Sequence, residues 1–134
     1  MIMVIESIDR NANIKVERYE DETYNTFEIE VNIDIEHGRF FGVNKDLQLL
    51  SIDIFINDLN ALIKGKKQEA VLYGTYESFF RFFKSDTGEM MLSFFLGDSY
   101  CGYANTVDYG IKGCFAFDEV SLNKILMDFH EMCN

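Results

Sequence analysis

The sequence has 134 residues, the size of one domain, so the whole chain is predicted to form a single domain, 1–134. Because 48% of the residues are apolar, intrinsic disorder is excluded. Its 23 acidic and 12 basic residues give a formal net charge of −11, which argues against nucleic acid and anionic membranes as partners. The N-terminus has no basic segment followed by a long apolar run, and no stretch is long enough to span a membrane. We therefore expect a soluble cytoplasmic protein.

Strict alternation of apolar and polar residues predicts antiparallel strands in the N-terminal third. Every odd position from 27 to 36 is apolar and every even position is polar, a period typical of a strand with one buried face. A histidine–glycine turn at 37–38 then leads into a return strand at 39–43. Two shorter strands are predicted upstream, at 3–5 and 14–19.

A change to helical period marks the middle of the chain. Ser51 is predicted to be the N-cap of this helix, and Asp53 places a negative charge in its first turn. Gly65, flanked by lysines, is a typical C-terminal stop. The apolar stripe falls at the spacing of one helix face and consists of Ile52, Phe55, Ile56, Leu59, Leu62 and Ile63.

Strand period returns in the C-terminal half, and a second helix ends the chain. Cys114 lies in an apolar run and is predicted to be a small core residue, whereas Gly97–Thr106 is polar and predicted as a loop. The last amphipathic helix begins near Asp118 or Ser121. Four strands are predicted, at 70–73, 78–83, 90–96 and 110–117, with a turn at 85–88. The order predicts an α+β fold, an antiparallel sheet of about seven or eight strands with one central and one C-terminal amphipathic helix.

Catalytic and metal-binding motifs are absent from the sequence. It contains no G-x-S-x-G, no glycine-rich phosphate loop and no H-E-x-x-H, so we expect neither an enzyme nor a cofactor. The three cysteines are too few and too widely spaced for a disulfide framework, and we expect free thiols. One set of zinc ligands is formally possible: Cys101, Cys114, His130 and Cys133. This set lacks the close ligand pair of structural zinc sites, so no metal is predicted.

Acidic residues are concentrated at the N-terminal end. Residues 1–36 hold ten acids and three bases, which gives a charge of −7. Four of these acids are predicted to line the outer face of the strand at 27–36, and we name them the acidic ridge: Glu28, Glu30, Asp34 and Glu36. Three more form the preceding loop, which lacks a calcium-loop pattern: Glu20, Asp21 and Glu22. The ridge is either an ordinary solvated face or a docking surface for a basic partner, and the sequence leaves both interpretations open.

The order of apolar and glycine motifs over residues 24–132 resembles the WapI-type immunity proteins, small acidic bacterial proteins paired with polymorphic toxins. The motifs are Asn25-Thr26-Phe27, Phe40-Phe41-Gly42, the leucines at 47, 49 and 50, Ala70-Val71-Leu72, and Phe115-x-Phe117-Asp118 before the last helix. The resemblance implies a non-catalytic inhibitor that binds a cognate toxin in the cytoplasm. Nuclease toxins are commonly basic, which suits a partner with a net charge of −11.

Two hypotheses about function follow. In the first, the acidic ridge and its preceding loop contact a basic toxin, and exposed aromatic residues supply the strongest contacts: Tyr100, Tyr103 and Tyr109. In the second, the protein is a small-molecule-binding or enzymatic domain with a site near the 97–109 loop. We expect a monomer or a weak homodimer in either case.

Overall fold

The computed structural model describes residues 1–19 and 26–133. These residues form one antiparallel sheet of eight strands, in which each strand pairs with the next in the chain, and two helices, so the predicted α+β fold is confirmed. The elements are β1 (Ile2–Glu6), β2 (Ala12–Arg18), β3 (Thr26–Ile35), β4 (Gly38–Leu50), α1 (Ile52–Ile63), β5 (Glu69–Gly74), β6 (Phe79–Lys84), β7 (Met90–Cys101), β8 (Thr106–Phe117) and α2 (Ser121–Cys133).

The sheet curls so that its two ends approach each other. The backbone amide of Ile8, just after β1, donates to the carbonyl of Ala116 in β8 over 3.0 Å. Further along, β4 and β8 come so close that a Cβ added to Gly42 would lie 3.0 Å from the Ile111 side chain. The inner faces of the curled sheet and the two helices therefore enclose one core.

A row of aromatic rings joins both helices to the sheet. The ring of Phe55 in α1 lies 5.1 Å from that of Phe129 in α2 and 5.8 Å from that of Phe82 in β6. Phe82 in turn meets Phe117 of β8 edge to face at 5.9 Å. All four side chains are buried, so this row ties together elements that are far apart in the sequence.

The start of α1 differs from the prediction. The apolar stripe is buried as expected, and Gly65 adopts the positive φ of 73° that a C-terminal glycine favours. Ser51, however, has left-handed backbone angles and makes no side-chain cap hydrogen bond. Ser51 still occupies the predicted N-cap position, and its carbonyl accepts a hydrogen bond from the amide of Phe55. Its hydroxyl makes no capping bond, because such a hydroxyl reaches the first amides from an extended backbone.

The segment predicted as a loop at Gly97–Thr106 is instead the distal part of a hairpin. β7 continues to Cys101 and β8 begins at Thr106, which leaves residues 102–105 as the connection. Most residues of this distal part are exposed, so no face of it shows the apolar alternation that identifies a half-buried strand.

Cys114 is exposed, so its predicted place in the core is wrong. Successive residues of a strand point to opposite faces, and in β8 the inner side belongs to Phe115 and Phe117. All three cysteines are free, and neither helix in the described residues is long and apolar enough to span a bilayer.

Candidate functional site

The acidic ridge is less uniform than the sequence predicts. Glu28 and Glu30 are half-buried on β3 and Asp34 is exposed near its end, whereas Glu36 lies in the turn beyond the strand. The prediction that Glu36 lines the strand is therefore wrong, because β3 ends one residue earlier. Residues 20–22, which are predicted to form the preceding loop, lie outside the described residues.

Two acids of the ridge have cationic partners on neighbouring strands. Lys15 Nζ on β2 lies 3.5 Å from Glu30 Oε2, and Arg39 Nη2 on β4 donates to Asp34 Oδ2 over 2.8 Å. The outer face around these pairs also carries the exposed ring of Phe41, directly opposite the half-buried Asn32. This face is a mixed polar surface rather than a continuous negative one.

A second acidic surface lies where the turn between β5 and β6 meets the β7–β8 hairpin. A groove of about 450 Å³ opens here, within the usual size range of ligand sites. Two tyrosines, a phenylalanine and three carboxylates line much of it: Tyr76, Glu77, Phe95, Asp98, Asp108 and Tyr109. We call it the tyrosine–carboxylate groove.

Two buried polar side chains build this groove by holding Gly97. Asn44 Nδ2 donates to the carbonyl of Gly97 over 2.8 Å, and the amide of Gly97 donates to Ser78 Oγ over 2.9 Å. A Cβ at Gly97 would meet the backbone carbonyl oxygen of Tyr76 and would lie 2.8 Å from the ring of Phe95. Because Gly97 has no side chain, the β5–β6 turn packs directly against β7, and Tyr76 lies close to Asp98.

The turn that presents Tyr76 has a strained backbone. Tyr76 and Glu77 both have positive φ, 57° and 61°, and the amide of Ser78 closes the turn on the carbonyl of Thr75 at 3.1 Å. Turns with two such residues favour asparagine and glycine, and other residues there cost on the order of 1–3 kcal/mol each. Strain of this kind is typical of functional positions.

The groove carries negative charge without compensation. Among the described residues, its carboxylates and the adjacent Asp46 form no ion pair with lysine or arginine, although Lys45 and Lys112 lie nearby in the sequence. The carboxylate of Asp46, partial desolvation and Asp98 raise the pKa of Tyr76. Desolvation and the carboxylate of Asp98 raise the pKa of Tyr109. A protonated phenol can donate a hydrogen bond.

The three tyrosines predicted as contact residues all lie on the β7–β8 hairpin. Tyr109 is paired with Asp98 across the hairpin and lines the groove. Tyr100, two residues after Asp98 on β7, lies on the same face of the hairpin and has 63% of its surface exposed. Tyr103 lies in the connection between the two strands. Sequence reasoning missed Asp46 and Tyr76, because no periodic signal indicates that the β5–β6 turn packs onto β7.

In comparisons with known proteins, no family model, no curated protein and no solved structure matches the chain. Nor do the described residues contain a group of three or more histidine, cysteine, aspartate or glutamate side chains placed to hold a metal ion.

Replacing Asn44 by alanine is expected to lower the free energy of unfolding by about 2–3 kcal/mol. The Asn44 side chain is buried and accepts a hydrogen bond from the amide of Asp46 at 2.9 Å. Its removal also takes away the donor to the Gly97 carbonyl. Urea denaturation measures the loss, with the exposed Asn57→Ala on α1 as the control. Equal stability of the two variants would contradict the bridging role.

Replacing Asp46 by asparagine is expected to bring the pKa of Tyr76 down towards its ordinary value of about 10. The Asp46 carboxylate is the largest cause of the raised pKa, because it repels the negative tyrosinate. Ultraviolet absorbance follows tyrosinate formation against pH, and a parallel titration of Tyr76→Phe identifies the contribution of Tyr76. An unchanged titration curve in Asp46→Asn would contradict the close approach of the two groups.

Relaxing the strained turn with Tyr76→Asn and Glu77→Gly is expected to raise the free energy of unfolding by about 1 kcal/mol. Both new residues accept positive φ readily, so the backbone strain is relieved. Thermal unfolding measures the gain. A less stable double variant would show that side-chain contacts outweigh the strain.

Proposed function

We propose that this protein is a non-catalytic binding protein that captures a basic protein partner in the tyrosine–carboxylate groove. Toxin neutralisation is the role that the resemblance to WapI-type immunity proteins implies. One observation carries the proposal: the uncompensated carboxylates of the groove lie among exposed tyrosines.

The charge of the groove favours a cationic partner. Asp46, Asp98 and Asp108 have no lysine or arginine against them within the described chain, so a partner's arginine or lysine side chains would supply the missing counter-charge. A net charge of −11 adds long-range attraction, which typically raises association rates by about 10–10³-fold at low salt. A nucleic-acid-cleaving toxin, which carries cationic surface to bind phosphates, fits this requirement.

The tyrosines supply a second kind of contact. Tyrosine is enriched among the residues that dominate binding energy, because it buries a large ring and still donates a hydrogen bond. Tyr100, Tyr103 and Tyr109 are exposed on a hairpin that extends beyond the core, so they reach a partner without any rearrangement of the sheet. The acidic ridge contributes at longer range through Glu28, which lies opposite Glu17 on β2.

Affinity capture from cells of the source organism tests the proposal. The wild-type protein is compared with a triple variant in which Asp46, Asp98 and Asp108 are replaced by asparagine, and captured proteins are identified by mass spectrometry. We expect a basic protein that the wild type retains and the triple variant loses.

A matched control separates the groove from overall charge. It makes the same three aspartate-to-asparagine changes at Asp9, Asp53 and Asp86, which are exposed and lie outside the groove. This control is expected to retain the partner. A captured partner that is acidic, or that both triple variants retain equally, would overturn the proposal.

Binding of a small cationic molecule is the second candidate, and the residues that line the same groove favour it. Carboxylates and aromatic rings together suit an organic ammonium or guanidinium group. Native mass spectrometry of protein purified from source cells distinguishes the two functions. A retained small cation in the wild type, absent from the Asp46, Asp98 and Asp108 triple variant, would support the second candidate over the first.

A further inference from the structure

The strand β8 lies at one edge of the sheet, and most of its outer edge is open. Among the described residues, the backbone hydrogen bond on its free side is that from Ile8 to Ala116, near the end of the strand. Residues 106–110 are all exposed. Edge strands are often kept from pairing with another strand by being short or by containing proline. The strand β8 has neither feature, because it is 12 residues long and the chain has no proline.

Self-pairing of β8 is restricted to a few registers. Residues directly opposite each other in an antiparallel sheet point to the same face, so a two-fold axis perpendicular to the sheet must lie midway between the two copies of one residue, which is then paired with itself. With the axis at Gly110, Asp108 of one copy lies opposite Lys112 of the other. An axis at Tyr109 or Ile111 places Asp108 opposite an uncharged residue instead.

The register centred on Gly110 is complementary on both faces. Asp108 and Lys112 are the charged residues of β8, and neither forms an ion pair within the described chain. Pairing forms two opposite-charge contacts between copies. On the other face Tyr109 meets Ile111 of the second copy, an aromatic and β-branched pair of the kind that stabilises sheets.

We propose that two copies of this chain associate by antiparallel pairing of β8 about a two-fold axis at Gly110. The interface uses the backbone edge of the strand and the charges of Asp108 and Lys112. The interface shares Asp108 and Tyr109 with the tyrosine–carboxylate groove, but it forms between copies of this chain alone and is therefore tested with the purified protein, without a basic partner.

Sedimentation velocity over a concentration series tests this pairing. The wild type is expected to dimerise. In either single variant, Asp108→Lys or Lys112→Asp, both contacts between positions 108 and 112 bring like charges together. Each variant is therefore expected to dimerise roughly tenfold more weakly. An equimolar mixture of the two variants pairs aspartate with lysine at both contacts, so association is expected to return to the wild-type level. Asp86→Lys, in the turn between β6 and β7, is the control for charge alone.

Disulfide trapping checks the same register without changing charge. Thr106 of one copy lies opposite Cys114 of the other when the axis is at Gly110, at a spacing that a disulfide can bridge. Thr106→Cys in a Cys101→Ser background is therefore expected to give a covalent dimer on oxidation, and adding Cys114→Ser is expected to abolish it. Circular dichroism confirms that each variant is folded.

Three results would overturn the pairing. The first is a wild type that remains monomeric over the whole concentration series. The second is a mixture of Asp108→Lys and Lys112→Asp that associates no better than either variant alone. The third is a folded Thr106→Cys variant that gives no Cys114-dependent dimer.

Discussion

Replacing Phe82 by alanine is expected to lower the free energy of unfolding by about 3–5 kcal/mol, a large fraction of the stability of a small domain. The side chain is fully buried, and its ring contacts those of Phe55 and Phe117. Its loss opens a cavity where α1, β6 and β8 meet. Chemical denaturation measures the change.

The neighbouring Phe83 provides the matched control. It is the same residue type on the same strand, but it faces the other side of the sheet, is half-buried, and has the Arg81 guanidinium 4.1 Å from its ring centre. We expect Phe83→Ala to cost about 1 kcal/mol. A cost for Phe82→Ala no larger than that for Phe83→Ala would contradict the aromatic row as the centre of the core.

Reversing the charge of Asp46 and Asp98 together is expected to slow association with the captured basic partner by about 10–100-fold at low salt. Both carboxylates lie beside the groove tyrosines without a cationic partner in the described chain, so lysines there would repel a cationic side chain. Stopped-flow measurements at several salt concentrations give the association rate.

The same change in net charge at other positions separates local from overall attraction. Asp9→Lys with Asp86→Lys alters the total charge equally but lies outside the groove. This double variant is expected to slow association only slightly, and less so as salt rises. Equal effects of the two double variants would show that total charge, rather than the groove, attracts the partner.

The secondary structure was largely predictable because most elements bury one face. The alternation at 27–36 predicted β3 to within one residue at each end, and the apolar stripe from Ile52 predicted α1. The same logic fails where both faces are solvated. The distal hairpin beyond Gly97 has no buried side, so its sequence resembles that of a loop although it forms paired strands.

The groove depends on contacts that no local pattern encodes. Asn44 and Gly97 are 53 residues apart, and their hydrogen bond brings β4 to β7. The left-handed backbone of Tyr76 could not be predicted from the sequence either, because tyrosine rarely adopts this conformation. Acidity along the strand was predictable, but the pairing of Asp34 and Glu30 with cations depends on the register between strands.

Site-specific photo-crosslinking tests partner capture by the groove most directly. A photoreactive phenylalanine replaces Tyr100, beside the groove, or Tyr73, an exposed tyrosine of β5 that is paired with the far end of β4 and does not line the groove. With the captured basic partner, we expect a strong crosslink from position 100 and none from position 73. Crosslinking from position 73 alone, or equally from both positions, would contradict it.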